Sequence, residues 1–415
     1  MIARTARKMG AHSDDFSGKL SESLGKPSRR FVAEALYGIA ARGSVRLSEI
    51  GRALEETIPL IKTETRLSRN LARPYLRDHV GGAVLREGGR KVGERTLLIM
   101  DLSDIAKPYA EKMEYLARVR DGSTGDIADG YWLCQVIAVE NEDNAVVPLY
   151  SALYSQEAPD FVSENAEVMT AMAAVSEACG GRGVWVVDRG GDRGTLYADL
   201  LRSGRSFVIR QNGDRHLLSG LRKIETSELA ADCPLYYATD IVREDHGREV
   251  TCRLEYGFRP VRLPQHPDSP LWLVVVRGLG QQPMMLLTDL PMRRKRSVLW
   301  WVVAAYLSRW RIEEAIRFTK QSYDLEDIRV LTYDRLRNLV VLVNAVAFFT
   351  AVVLGTRIKL DILATHLVTA AKRLFGVPDF RLYAIADGIR EVCARSPRTP
   401  SPQATLGPQL TLGFG

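Results

Sequence analysis

Two short apolar runs, each closed by an aspartate, constrain this chain more than any other feature. They are Leu97-Leu98-Ile99-Met100 before Asp101, and Val184-Trp185-Val186-Val187 before Asp188. An unbroken run of large apolar residues does not suit a strand with one wet face. It suits a strand covered on both sides, as in a sheet with helices packed against it. Apolar-periodic stretches lie where such helices would be needed, over Ser163–Cys179 and over Thr195–Gly204. Further strands are expected over Tyr131–Glu140, Ala145–Tyr154 and Ser206–Gln211. The order is three strands, helix, strand, helix, strand, which predicts a mixed α/β sheet.

Functional groups in an open α/β sheet collect at the carboxyl ends of strands. One aspartate there is ordinary turn or cap chemistry. Two prompt a search for a third acid, because hard divalent cations take several oxygen ligands. The segment YLSRWRIEEAIRFTK supplies a candidate. With Tyr306 at zero on a helical wheel, Arg309 falls at about −60°, Glu313 at about −20°, Arg317 at about +20° and Lys320 at about −40°. A surface helix with i,i+4 pairs such as Arg309–Glu313 would look the same, so the wheel alone leaves both readings open.

The spacing Tyr-x2-Arg-x3-Glu-x6-Lys is met in full by Tyr306, Arg309, Glu313 and Lys320. It resembles the signature of insertion-sequence family four of the bacterial DDE transposases. The string YLSRWRIEE also resembles the corresponding helix of that family's hairpin-forming, cut-and-paste members. Asp101-Leu102-Ser103, Asp188-Arg189-Gly190 and the strand FVIR ending at Arg210 agree with it. Ser103 stands where the family often has Thr. The resemblance covers roughly residues 30–355. It implies an RNase H-like core interrupted by a β-rich insertion, and Asp101, Asp188 and Glu313 as catalytic acids holding two Mg2+ or Mn2+ ions. It also implies Tyr306, Arg309, Lys320 and Arg210 as DNA-binding residues. Asp104 is expected beyond the strand end and Glu314 about 80° off the helical stripe, so Asp101 and Glu313 are preferred over these acidic neighbours.

The expected division is a helical DNA-binding region (1–90), a first part of the catalytic core (91–213), a β-rich insertion (214–296), the Glu helix (297–330), a C-terminal helical region (331–395) and a tail (396–415). Helices are expected from Ser28 to a stop at Gly43, over Leu47–Leu54, and over Pro59–Ala72. In the last, Lys62, Arg66, Arg69 and Arg73 share an arc of about 60° opposite Leu67 and Leu71. That is a basic stripe suited to a row of phosphates. Arg293-Arg294-Lys295-Arg296 is a second candidate DNA track. The Pro- and Ser-rich tail reads as disordered or a linker.

The formal net charge of +7 fits a polyanionic partner. The partners expected are double-stranded DNA at transposon ends and in the target, with the chain a homodimer in the DNA complex. The five cysteines are scattered, with no Cys-x-x-Cys pair. A disulfide framework and a zinc knuckle are therefore not expected, and a reducing, nucleoid-associated cytoplasmic setting is. The start MIARTARKMG lacks an apolar core, so no signal peptide is expected. Leu339–Leu354 is apolar but would span only about 24 Å as a helix, so a buried core helix is expected rather than a membrane span. Two rivals remain: a non-catalytic DNA-binding relative, and an RNase H-like nuclease or resolvase.

Overall fold

The computed structural model describes residues 2–122, 124–140, 145–245, 248–369 and 382–396. The tail expected to be a linker, residues 396–415, lies outside the described residues but for Ser396. Helices come first along the chain: α1 (Ile2–Leu20), α2 (Lys26–Arg42), α3 (Leu47–Ala53), α4 (Leu60–Leu71) and α5 (Leu76–Gly89). Then follow β1 (Leu97–Ala106), β2 (Ala117–Arg120), β3 (Ile127–Val139), β4 (Val146–Tyr154), α6 (Glu164–Ala178), β5 (Val184–Val187), α7 (Gly194–Arg202) and β6 (Phe207–Arg210). The next stretch holds β7 (His216–Ser219), β8 (Arg222–Glu225), α8 (Thr226–Ala231), β9 (Leu235–Asp245), β10 (Arg248–Leu263), β11 (His266–Arg277) and β12 (Met284–Thr288). Helices resume with α9 (Arg296–Leu307), α10 (Trp310–Ser322), α11 (Tyr333–Phe348), α12 (Gly355–Thr369) and α13 (Leu382–Arg395).

These elements form two compact units. One comprises residues 1–83, 112–114 and 318–415; the other comprises 84–111 and 115–317. The first is helical. Helix α2 ends as expected at Gly43, whose φ of 61° is the left-handed turn that stops a helix. Phe16 of α1 stacks on Phe348 and Phe349, with ring centroids 5.6 and 6.1 Å apart. The apolar stretch Tyr333–Val353 is long enough to cross a membrane, but 78% of its most apolar window is buried within the protein. Among its polar residues, Asn338 is fully buried and satisfied. Its amide donates to the carbonyls of Leu71 (2.7 Å) and Arg73 (2.9 Å) and accepts from the Arg77 N–H (3.0 Å). The Leu71 carbonyl closes α4, where the last carbonyls have no partner within the helix.

The second unit is built on a sheet that has twelve strands among the described residues. Their order is β2-β3-β1-β5-β6-β12-β11-β10-β7-β8, with β4 also on β3 and β9 on β10. Strands β1, β5 and β6 are parallel and β3 is antiparallel to β1. This is the mixed sheet expected. Leu98, Met100, Trp185, Val187, Phe207 and Ile209 pack into a core with Met172 and Val175 of α6 and Leu196 and Tyr197 of α7. Leu97, Ile99, Val186 and Val208, which alternate with them, are also fully buried. Both faces are covered, which is why these strands are apolar throughout. The β-rich stretch does not form a sheet of its own. Leu286, Leu287 and Thr288 pair with Arg210, Ile209 and Val208, so β12 joins it directly to the central strands.

Two expectations are corrected. Strand β1 does not stop at Asp101: its pairing with β3 continues to Ala106 opposite Gly130, because the antiparallel partner outlasts the parallel one. Asp104 is therefore inside the strand and buried, with Oδ1 accepting from the Gly122 N–H at 3.1 Å. The segment from Tyr306 to Lys320 is not one helix. It breaks at Ser308–Arg309 into α9 and α10. At the break the Arg309, Arg311 and Ile312 N–H groups bond three residues back rather than four, and the Ser308 hydroxyl donates to the Ala304 carbonyl at 2.9 Å. A serine hydroxyl that competes for a backbone carbonyl weakens a helix at that point.

Candidate active site

The parallel register brings Asp101 and Asp188 level. Ile99 pairs with Val186, so two residues further on Asp101 lies level with Asp188. Val187 pairs with Ile209, so Asp188 lies level with Arg210. Asp101, Asp188 and Arg210 thus form a row across three adjacent strands, inside β1 and at the carboxyl ends of β5 and β6. Strand pairing, rather than loop folding, sets this row, since a one-residue slip would turn every side chain to the opposite face.

Asp101 and Asp188 line one cavity of about 220 Å³, with Met100, Val168, Met169 and Leu196 as apolar walls and Asn165, Arg193 and Thr195 as polar ones. Asp188 caps the short turn that follows it, Oδ1 accepting from the Gly190 N–H at 2.7 Å. The glycines after it are closely approached by neighbouring side chains. A Cβ on Gly190 would stand 2.9 Å from Asp188 Oδ1, and one on Gly191 would stand 2.6 Å from Val187 Cγ1. The cavity residues Asn165 and Arg193 bond each other at 2.8 Å. Sequence reasoning missed both; the string Asp188-Arg189-Gly190-Gly191 was the available signal that backbone and side chains crowd there.

The break between α9 and α10 decides where the remaining site residues fall. Arg309 sits in the turn and is only 19% exposed. Its guanidinium contacts Asp101 Oδ2 at 3.5 Å and donates to Glu313 Oε1. Burial works against a charged guanidinium, but Glu313 and Asp101 outweigh it and hold Arg309 protonated. Asp101 is pushed up to about 6, by burial first, with Asp188 and Glu313 adding to it and Arg309 opposing. Tyr306 is buried in α9. Glu313 is half exposed, and its neighbour Glu314 bonds Arg317 at 2.7 Å. Lys320 belongs to the helical unit, where its ammonium pairs with Glu326 at 2.8 Å.

This donor set suits a divalent cation in part. Asp101, Ser103 and, opposite Asp101 in β3, Gln135 stand on one face of the sheet. Among the described residues, Ser103 Oγ and Gln135 Oε1 are buried without a hydrogen-bond partner. Asp101 with these two oxygens on its face of the sheet, and Asp188 level with it on the next strand, are oxygen donors of the kind a hydrated hard cation takes. The triad itself is not assembled: among the described residues no three His, Cys, Asp or Glu side chains are grouped to hold a metal, and Glu313 is turned to Arg309.

The basic stripe on α4 is interrupted. Lys62 and Arg69 are exposed, as expected. Arg66 instead donates to Glu34 and, at 2.8 Å, to Glu56, and Arg30 bonds the same two carboxylates at 2.6 Å each. Burial opposes ionisation of Glu56, but Thr63 and Arg66 donate to it and hold it below the usual range. Arg73 donates to Ser28 and, at 2.8 Å, to Tyr75. In the second candidate track, Arg294 lies over the Tyr236 ring at 4.7 Å, and Arg296 bonds the Ala238 carbonyl at 3.2 Å and Thr239 at 3.1 Å. Arg293 and Lys295 are exposed.

No family model matches this chain, and no curated protein matches it. Among solved structures it is similar to a piggyBac transposase, seen in a synaptic complex with hairpin DNA. The TM-score is 0.44 and the identity 12%, over 96% of this chain and 84% of that one.

Proposed function

We propose that this chain is a DDE transposase that cuts DNA ends and joins the freed 3′-hydroxyl to a target, acting as a homodimer on double-stranded DNA in the cytoplasm. The observation that carries the reading is the row of Asp101 and Asp188, level on adjacent parallel strands and lining one cavity. The strand pattern supports an RNase H-like core: β4-β3-β1 antiparallel, then β5 and β6 parallel to β1. The Tyr306, Arg309, Glu313 and Lys320 spacing supports the same family.

In this reading Asp101 and Asp188, joined by Glu313, would hold two Mg2+ or Mn2+ ions, which would supply water activation and charge neutralisation for phosphoryl transfer. The chain's own residues do the rest. The strand register holds the two aspartates level. The apolar walls from Val168, Met169 and Leu196 limit water around the acids. Arg309 and Arg210 offer guanidinium forks to phosphate oxygens, a geometry that favours bidentate contact. Exposed Lys62 and Arg69 supply sequence-independent phosphate contacts.

The test is cleavage of a plasmid carrying the DNA that flanks this gene, with Mg2+ present. Wild-type chain should break it at the element's ends. Asp101→Asn, Asp188→Asn and Glu313→Gln should each lose cutting by about a thousandfold, several kcal/mol of transition-state stabilisation, and still retard the DNA in a gel. Wild-type cutting by Asp188→Asn would sink the assignment.

A further inference from the structure

Arg309 joins Asp101 to Glu313, the two acids that the proposed function needs free. Three further observations bear on its role. First, Arg309 sits at the α9–α10 break, where its backbone is outside both helices, so its side chain can change partners without unwinding either. Second, Glu313 is half exposed, and its carboxylate accepts from this guanidinium. Third, Arg309 is largely buried between these two carboxylates.

We propose that Arg309 is an internal stand-in cation, a positioning residue that holds Glu313 away from the Asp101–Asp188 pair until a stronger anion takes it. This rests on the reading of the three acids as metal ligands. Removing the guanidinium frees two carboxylates and deletes one positive charge beside the cavity, and both changes favour a divalent cation. A phosphate of bound DNA does the same by exchange, since guanidinium takes a phosphate fork as readily as a carboxylate. Assembly of the three-acid set is then coupled to DNA engagement. By linkage, bound divalent ions raise affinity for DNA by the factor by which DNA raises affinity for the ions.

The experiment measures Mn2+ binding to the full chain without DNA, by loss of the free-ion electron paramagnetic resonance signal. Circular dichroism checks folding. Arg309→Gln should bind Mn2+ roughly tenfold more tightly than wild type, the effect of about one unit of charge interaction. Glu313→Gln should change wild-type affinity little, because Arg309 already occupies that carboxylate, but should reverse the gain in the Arg309→Gln background. Arg309→Lys keeps the charge but cannot bridge two carboxylates, so it should fall between, and it serves if Arg309→Gln does not fold. Equal or weaker Mn2+ binding by both Arg309 variants, with binding still lost in Asp188→Asn, overturns the stand-in role alone. Mn2+ binding that is indifferent to Asp101→Asn and Asp188→Asn overturns the metal-site reading with it.

Discussion

The apolar runs of β1 and β5 and the basic face of α4 each carry a plain local pattern in the sequence, and the two patterns lead to different outcomes. In the strands, the pattern is an apolar run followed by an acid, and the two acids stand level beside one cavity. Along α4, the pattern is four cations at helical spacing, but Arg73 falls past the helix end at Leu71, and it and Arg66 are bound to other side chains. The difference lies in what each pattern leaves open. Parallel strands that are buried on both faces must pair in the register that keeps the run inside, so the position of the next residue follows. A helix face has no such constraint. Its polar side is free to meet any element, and here Glu34 of α2 and Glu56 reach Arg66 from outside the helix.

The largest effect that separates the two regions concerns Asp101. Its folded value, about 6, lies above the ordinary 3.8, through burial and the nearby Asp188 and Glu313. A raised carboxylate means that the folded state binds the proton more tightly than the unfolded one. Stability therefore falls as pH rises from about 4 to about 6, and the deficit persists above it. Asp101→Asn should stabilise the metal-free chain at pH 7.5 by on the order of 2 kcal/mol, and this gain should vanish below about pH 4. Thermal unfolding across pH checks it. A destabilised Asp101→Asn at pH 7.5 would mean that Arg309 contributes more to Asp101 than burial takes away.

Arg66 should show the opposite sign. It holds two carboxylates that are only 12% and 18% exposed. Arg66→Ala leaves Glu34 with Arg30, and Glu56 with Arg30 and Thr63, and should cost about 1–2 kcal/mol, less than a fully buried pair because the network reaches solvent. Arg69→Ala, on the exposed side of the same helix, should stay within about 0.5 kcal/mol. Chemical denaturation of the two variants is sufficient. Equal losses would return Arg66 to the solvent-facing stripe.

The legible parts of this molecule are those where backbone geometry leaves few choices. Gly43 stops α2 because a left-handed residue closes that turn, and the string Val184 to Asp188 suits a covered strand and little else. Ser163 likewise starts α6, its side chain accepting from the Ala166 N–H at 3.1 Å. The break at Ser308 is not legible, because Ser and Arg are both tolerated in helices and the competing hydroxyl bond appears only in three dimensions. Nor is the continuation of β1 to Ala106, which depends on how far β3 follows it. Gln135 stays hidden for the same reason: it is one polar residue in an apolar strand until the register sets it opposite Asp101.

The smallest effect is also the sharpest test of which cations remain for DNA. Each phosphate that a side chain no longer reaches should reduce the slope of log K against log[salt] by about 0.9. If only exposed side chains contribute, Lys62→Ala and Arg69→Ala together should flatten the slope by nearly two units, about 0.9 each. Arg66→Ala should leave it unchanged once measured below its unfolding temperature, because its guanidinium already answers Glu34 and Glu56. The change for Lys62 and Arg69 should be the same on any duplex, since phosphates carry no direct sequence code. A slope that falls by about one unit in Arg66→Ala would require the Arg66–Glu34–Glu56 network to open when DNA binds. The α4 face would then behave as Arg309 is proposed to behave, with a carboxylate partner exchanged for a phosphate, and the contrast between the two regions would become one of degree.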